Sequence, residues 1–363
     1  MTYRQASVAV VSFRLGGADG VSIESAKWAA ALHRLGLNVR TIAGAGKADH
    51  LVDGLELDAT RPVSGPALTA ALADVDLVVV ENICSLPRNM RAAAALSQEL
   101  VGRPAVLHHH DLPWQRPGLP IPDPWPPTDP AWRHITINAQ SEKELLNRGV
   151  RATYIPNTFD SPARPGRRNL ARLLLGVPQG SWLLLHPTRA LPHKDVPAGL
   201  DLATALGATY WLTGPAEDGY QEEFERLLVT ARCPVRRGLP DGLDMADAYA
   251  AADGVVFPSS WEGFGNPVIE SALYRRPLAV ADYPVLRELA AYGLRWFSVD
   301  QPDQFRKFLT RPDKSLLDHN ATTAARFFPT AVLDRELRSL FLSSGLAFRI
   351  FALSSFIVRG VLC

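Results

Sequence analysis

The chain has 363 residues, enough for two domains of ordinary size. Hydrophobic residues make up 47% and charged residues 21%, a globular composition that excludes a disordered or collagen-like chain. The 38 basic residues balance 37 acidic ones, and a net charge of +1 argues against nucleic acid as the partner.

The N-terminus enters a strand-like run at once, Ala6 to Phe13, without the layout of a signal peptide. Cys84, Cys233 and Cys363 lie far apart with no CxxC, so neither a disulfide framework nor a cysteine zinc site is readable, and a cytoplasmic protein is expected. Val8 to Phe13 is continuously apolar, as buried parallel strands are. Gly16-Gly17 and Gly20 break the run, and helical spacing follows from Ile23 to Leu35, with Gly36 as its stop. Strands are predicted at Val39 to Ala43, Leu77 to Val80, Ala105 to Leu107 and Thr136 to Asn138. Alternation of strands with helical or loop segments predicts an α/β domain with a parallel sheet.

After Ile155-Pro156-Asn157, the stretch Asp160 to Arg168 holds two prolines, a glycine and three arginines and reads as a hinge or linker. A second series follows, with strands at Trp182 to Leu185, Thr209 to Leu212, Val255 to Phe257 and Leu278 to Val280. The expected domains are therefore 1–160 and 161–325, each Rossmann-like, followed by a helical segment and apolar tail over 326–363. Such sheets bind ligands at the carboxyl ends of their strands, so the expected site is a cleft between the two domains.

Two segments depart from this rhythm. Pro113 to Pro130 holds eight prolines, a density that excludes a regular helix or central strand; it reads either as a wall of an acceptor site or as a surface loop. Ser339 to Val358 is twenty residues with one charge, Arg349. Its serines and Gly345 argue against a membrane span and for a docked helix, with a weak interfacial membrane anchor as the alternative.

The most informative string is Pro258-Ser259-Ser260-Trp261-Glu262-Gly263-Phe264-Gly265-Asn266-Pro267-Val268-Ile269-Glu270. It follows a predicted strand, with Asn266 expected as N-cap and Pro267 as the first helical residue. Gly263 and Gly265 leave backbone N–H groups unscreened, and the helix end adds a positive dipole, so the loop suits an anion. Glu262 and Glu270 flank it, and carboxylates accept hydrogen bonds from sugar hydroxyls. After the strand ending at Leu185, His186-Pro187-Thr188-Arg189-Ala190-Leu191-Pro192-His193-Lys194 places two cations five positions apart before a helix. Arg189 as a fork and Lys194 as a point charge could clamp a diphosphate, with Asp195 partly neutralising Lys194.

His108-His109-His110-Asp111 follows the strand Ala105 to Leu107. Neighbouring strand residues face opposite ways, so the triple histidine predicts no metal site. Asp74-Val75-Asp76 has the D-x-D spacing of metal-dependent transferases of another fold, yet it precedes its strand, away from the ligand edge, and reads as turn polarity.

The Glu262 to Glu270 string resembles the signature of the retaining glycosyltransferases of family 4, in the GT-B fold: a glutamate, a Gly-Phe-Gly loop and a second glutamate eight positions on. The resemblance extends over roughly residues 6 to 325. It implies two Rossmann-like domains with parallel sheets facing across a cleft, the first on the acceptor side and the second binding the donor. It assigns Glu262 and Gly263, Phe264, Gly265 and Asn266 to the donor sugar, and Glu270 to the nucleotide ribose. Arg189 and Lys194 inherit the leaving group, although Thr188 and Asp195 stand where the family usually has glycines. Gly16 and Gly17 match the glycine turn after the first strand, and His110 aligns with a histidine facing the donor sugar. Tyr154 to Asp160 is similar to the interdomain Pro-Asn motif, with Thr158 replacing a glycine.

The implied activity is hexosyl transfer from a nucleotide diphosphate sugar, a UDP- or GDP-hexose, to an acceptor hydroxyl with retention. No cofactor or metal is implied, and the acceptor is a small molecule, a glycan or a lipid-linked sugar. The alternatives are a sugar-nucleotide epimerase of the same fold and a non-catalytic sugar-nucleotide binding protein.

Overall fold

A computed structural model describes residues 5–17, 19–116 and 118–343. By its internal contacts the chain divides into two units: residues up to Thr158 together with those from Ala331 onward, and Phe159–Thr330.

The first unit holds a sheet of seven parallel strands: β1 (Ser7–Leu15), β2 (Asn38–Gly46), β3 (His50–Leu51), β4 (Leu77–Glu81), β5 (Ala105–His109), β6 (Trp132–Thr136) and β7 (Ala152–Tyr154). Their order is β3-β2-β1-β4-β5-β6-β7. The order reverses between β1 and β4, and such a switch point is where parallel sheets of this kind bind ligands, at the strands' carboxyl ends. Val8 and Val10 turn to one layer of the core with Trp28, Ala31 and Leu32; Ala9 and Val11 turn to the other with Val78 and Val80. The helix Gly20–Arg34 contributes Trp28, Ala31 and Leu32 from one face. Its N-cap is Asp19, whose carboxylate accepts the Ser22 amide at 3.1 Å, and Gly36 takes φ 84° just after its end.

The helix Thr330–Ser343 returns the chain to this unit: Leu333, Leu337, Leu340 and Phe341 join the layer around Val8 and Trp28. Arg34 forks onto the Asp334 carboxylate at 2.7 and 3.1 Å, tying the first helix to the last. The apolar stretch from Ser339 to Val358 begins in this helix, and residues 344–363 lie outside the described residues. No helix among the described residues is long and apolar enough to cross a membrane.

The Asp-Val-Asp spacing is structural. The Asp76 carboxylate accepts the Ser7 amide at 2.8 Å, and Asp74 turns the chain at φ 57° into the amino end of β4. The proline-rich stretch carries one short 3-10 turn, Pro113–Gln115. Trp125 is buried, and its indole N–H donates to the Ser85 carbonyl at 2.8 Å.

The second unit holds six parallel strands: β8 (Leu183–His186), β9 (Thr209–Leu212), β10 (Val235–Arg237), β11 (Gly254–Phe257), β12 (Leu278–Val280) and β13 (Phe297–Ser298). Their order is β10-β9-β8-β11-β12-β13, with the reversal between β8 and β11. The arginine-rich stretch read as a linker is fastened to this unit. Arg164 pairs with Asp244, Arg167 with Asp247 at 2.5 Å and Arg168 with Asp253 at 2.6 Å. Fully buried Arg172 adds Asp253 at 3.1 Å and three carbonyls through its two terminal nitrogens, which compensates a cation that burial alone would penalise.

Candidate functional site

In the second unit, both sequence strings arrive at the switch point. The loop after β8 carries Arg189 and Lys194, and the loop after the neighbouring β11 carries Glu262 to Glu270. The loops are joined: the Ser260 amide donates to the His193 carbonyl at 2.9 Å, and Lys194 donates to Glu262 Oε1 at 2.5 Å. Both side chains of that pair are largely buried, at 11% and 12% exposure. Arg189 donates to Glu217 Oε2 at 2.7 Å. Arg189 and Lys194 each therefore hold a carboxylate.

Asp195 does not neutralise Lys194 through an ion pair; it caps the helix Val196–Leu206, accepting the Ala198 amide at 3.2 Å from a left-handed backbone at φ 47°. The partner is Glu262, 68 residues away in sequence.

The helix Asn266–Leu273 starts one residue earlier than expected. Gly265, at φ 96°, is its N-cap, so Asn266 lies inside the first turn with Pro267. A Cβ on Gly265 would stand 2.0 Å from the Tyr283 hydroxyl. Gly265→Ala is expected to cost about 1–2 kcal/mol or more in stability and to weaken nucleotide binding. Urea unfolding and calorimetric titration check this, and unchanged values in both would contradict the role given to the loop. Phe264 is buried against the rings of Phe159 and Phe328, which anchors the loop from beneath. At the far end of the string, Tyr249 donates to Glu270 Oε2 at 2.6 Å, and the Tyr274 ring stacks on Tyr249.

Three buried polar atoms around these loops have no hydrogen-bond partner among the described residues: His186 Nε2, Ser259 Oγ and Tyr283 Oη. His186 ends β8, with its other nitrogen 2.6 Å from the Tyr210 hydroxyl. Burial, and then the Lys194 charge, push its pKa down to about 3. Burial and the Glu262 charge push the Tyr283 hydroxyl far up, so it stays protonated as a donor. Orphaned polar groups beside paired charges are what a polar ligand would satisfy.

In the first unit, Gly16 and Gly17 follow β1 at its switch point. Gly16 has φ 74°, and a Cβ there would stand 2.8 Å from Lys47 Cβ. His110 lies just past β5. His109 faces one side, bonded to Ser85 at 2.7 Å and His134 at 2.9 Å. His108 and His110 share the other side, and both contact Glu81 Oε2, at 2.9 and 2.7 Å. Glu81 is fully buried at the end of β4 and was not singled out from sequence; its place at the carboxyl end of an apolar strand was the available signal. One nitrogen from each of these histidines and one Glu81 oxygen lie within 4.8 Å of one another, a spacing that could hold a metal ion. Two hydrogen bonds accepted by one carboxylate oxygen already account for the closeness.

Burial pushes the His109 pKa well down, and it lowers His134 to about 4. With His186 and His108, which burial also pushes down, these four remain neutral in the fold while the unfolded chain takes up protons below about pH 6.5. Stability is therefore expected to fall as pH drops from about 6.5 towards 4, by about 1.4 kcal/mol per pH unit for each net proton. Glu24, whose carboxyl burial pushes up, opposes this with one proton. Glu81, held at about 2, adds a loss only below its ordinary 4.5. Urea midpoints measured from pH 7 to 4 check this; a flat profile would contradict the buried neutral histidines.

No protein-family model matches the chain. The mannosylglucosylglycerate synthase of Thermotoga maritima is 25% identical, covering 91% of this chain and 93% of its own length. The enzyme of the same name from Petrotoga mobilis is 23% identical, over 85% of this chain and 90% of its own. Among solved structures, Anabaena Alr3699/HepE in complex with UDP-glucose superposes with a TM-score of 0.72 at 18% identity, covering 93% of this chain and 99% of that one. Fold and sequence relatives together place the chain among the glycosyltransferases of the GT-B superfamily.

Proposed function

We propose that this protein transfers a hexosyl group from a nucleotide diphosphate sugar to an acceptor hydroxyl, with retention of configuration and without a metal ion. The observation that carries this reading is the second-unit switch point, where Arg189, Lys194, Glu262 and the glycine loop converge from two neighbouring strands. Arg189 and Lys194 take the diphosphate, exchanging carboxylate partners for phosphate oxygens. Glu262 and the loop from Gly263 to Asn266 hold the sugar hydroxyls. Glu270, held by Tyr249, takes the ribose diol. Gly16, Gly17 and His110 take a substrate contact at the first sheet's own switch point.

Cleavage of the anomeric C–O bond builds positive charge on the sugar and negative charge on the departing diphosphate. The two cations and the loop amides stabilise that negative charge electrostatically, the service a metal ion gives elsewhere. No carboxylate is assigned as a nucleophile. The departing phosphate oxygen accepts the acceptor's proton while the acceptor oxygen attacks the same face, which conserves the anomeric configuration. The two bacterial relatives named for a glycosylated glycerate support a small hydroxylated acceptor, and the neighbour bound to UDP-glucose supports a nucleotide hexose as donor.

Incubation with nucleotide hexoses and a panel of sugar-acid and glycan acceptors tests the reading. Nucleotide diphosphate should appear with a glycoside that keeps the donor's anomeric configuration, and the rate should survive a strong chelator. An inverted product, or complete loss on chelation restored by magnesium or manganese, would contradict it.

A further inference from the structure

Glu81 enters the first sheet's switch point from β4, beside β1 and its Gly16-Gly17 turn, and in register with His108 of β5. It is a fully buried carboxylate on which two imidazoles converge through one oxygen. The two histidines differ in surroundings. His108 is enclosed, with its ring 4.2 Å from that of Trp28 and its Nε2 without a partner among the described residues. His110 lies at the strand's end, its amide donating to Asn82 Oδ1 at 3.2 Å and its Nε2 engaged by Glu81. Among the described residues no hydrogen bond engages His110 Nδ1.

We propose that Glu81 is a positioning residue, which orients His110 through Nε2 and holds it as an imidazolium whose Nδ1–H is left to donate to an electron-rich substrate oxygen at the carboxyl edge of the first sheet. The identity of that oxygen rests on the transfer reading; the charge and orientation of His110 rest on the cluster alone. A neutral histidine with Nε2–H given to Glu81 would present Nδ1 as an acceptor. The imidazolium instead presents a second donor and a positive charge.

The charges facing His110 favour that form. Burial acts against it, but the Glu81 hydrogen bond and charge, then Glu24 from the first helix and Asp111 next in sequence, raise its pKa above the ordinary value. Lys27 pairs with Glu24 at 2.6 Å and dilutes that contribution. His108, nearby on the same oxygen, is pushed down by burial more than Glu81 lifts it, so it stays neutral and leaves the charge to His110. The cluster thus holds one carboxylate and one imidazolium, a compensated pair in a buried place.

Histidine-detected NMR titration of the ligand-free protein, assigned with His110→Asn, reads the charge without any substrate. His110 should titrate above an ordinary histidine, Glu81→Gln should move its midpoint downward, and Glu81→Asp should restore it in part. In transfer assays Glu81→Gln should lower kcat/KM by about tenfold to a hundredfold and move the alkaline limb to lower pH. A midpoint at or below the ordinary value in the native protein would overturn the proposal. So would a Glu81→Gln variant that loses activity with an unmoved limb, because a purely structural carboxylate behaves that way. Absence of transfer alongside a raised, Glu81-dependent midpoint would instead count against the transfer reading and support the cluster's charge assignment.

Discussion

Arg189→Ala is expected to reduce transfer by roughly ten- to more than a hundredfold, through loss of a charge-assisted contact worth about 1.5–3 kcal/mol. The same variant should bind free nucleotide diphosphate more weakly, since the lost contact is to phosphate. The carboxylate on Arg189 sharpens this expectation. Glu217 holds the guanidinium at 2.7 Å, so a binding phosphate competes with it. The pair is partly exposed, at 26% and 27%, so its own strength is modest, about 0.2–1 kcal/mol. Glu217→Gln should therefore shift nucleotide diphosphate affinity slightly upward, the opposite direction from Arg189→Ala. Calorimetric titration of both variants checks the pair. Equal weakening in the two would mean that Arg189 serves Glu217 and not a phosphate.

Glu262→Ala separates the two ends of the donor. Its proposed contacts are to sugar hydroxyls, so transfer should fall by roughly ten- to a hundredfold. Nucleotide diphosphate binding should persist or tighten, because removing Glu262 frees Lys194 from a 2.5 Å ion pair. Glu270→Ala should instead weaken the nucleotide with or without its sugar, since Glu270 stands at the other end of the string with Tyr249 behind it. Titrating each variant with nucleotide diphosphate and with intact donor tests the orientation. Loss of nucleotide diphosphate binding in folded Glu262→Ala would reverse it.

The parallel strands were legible because their interiors are runs of β-branched and aliphatic residues, as at Val8 to Val11 and Leu77 to Val80. Reading the glycine loop as strand, turn and helix matches its backbone except at the cap: Gly265 replaces Asn266 because positive φ is a backbone property with no periodic signal. Pairings were the illegible part. Lys194 with Glu262, Arg189 with Glu217, and Glu81 with two histidines join residues 27 to 68 positions apart, and nothing local announces them. Alternation along a strand correctly separates His109 from its neighbours, yet the same rule puts His108 and His110 on one face, and the carboxylate between them comes from another strand. Docking of Leu333, Leu337 and Phe341 into the first unit is likewise a tertiary fact, since the helix pattern states an apolar face and not its partner.

Thermal unfolding with a panel of nucleotide diphosphates and their hexose conjugates is the most direct test of donor binding, because a ligand that binds only the folded state raises its stability. At a hundredfold excess over Kd the gain is about 2.7 kcal/mol, a readily measured rise in Tm. At least one nucleotide hexose and its matching diphosphate should stabilise the native protein, and Arg189→Ala should reduce both shifts. No stabilisation by any member of the panel at millimolar concentration, in a protein that unfolds cooperatively, would contradict a nucleotide-sugar site at the β8–β11 switch point.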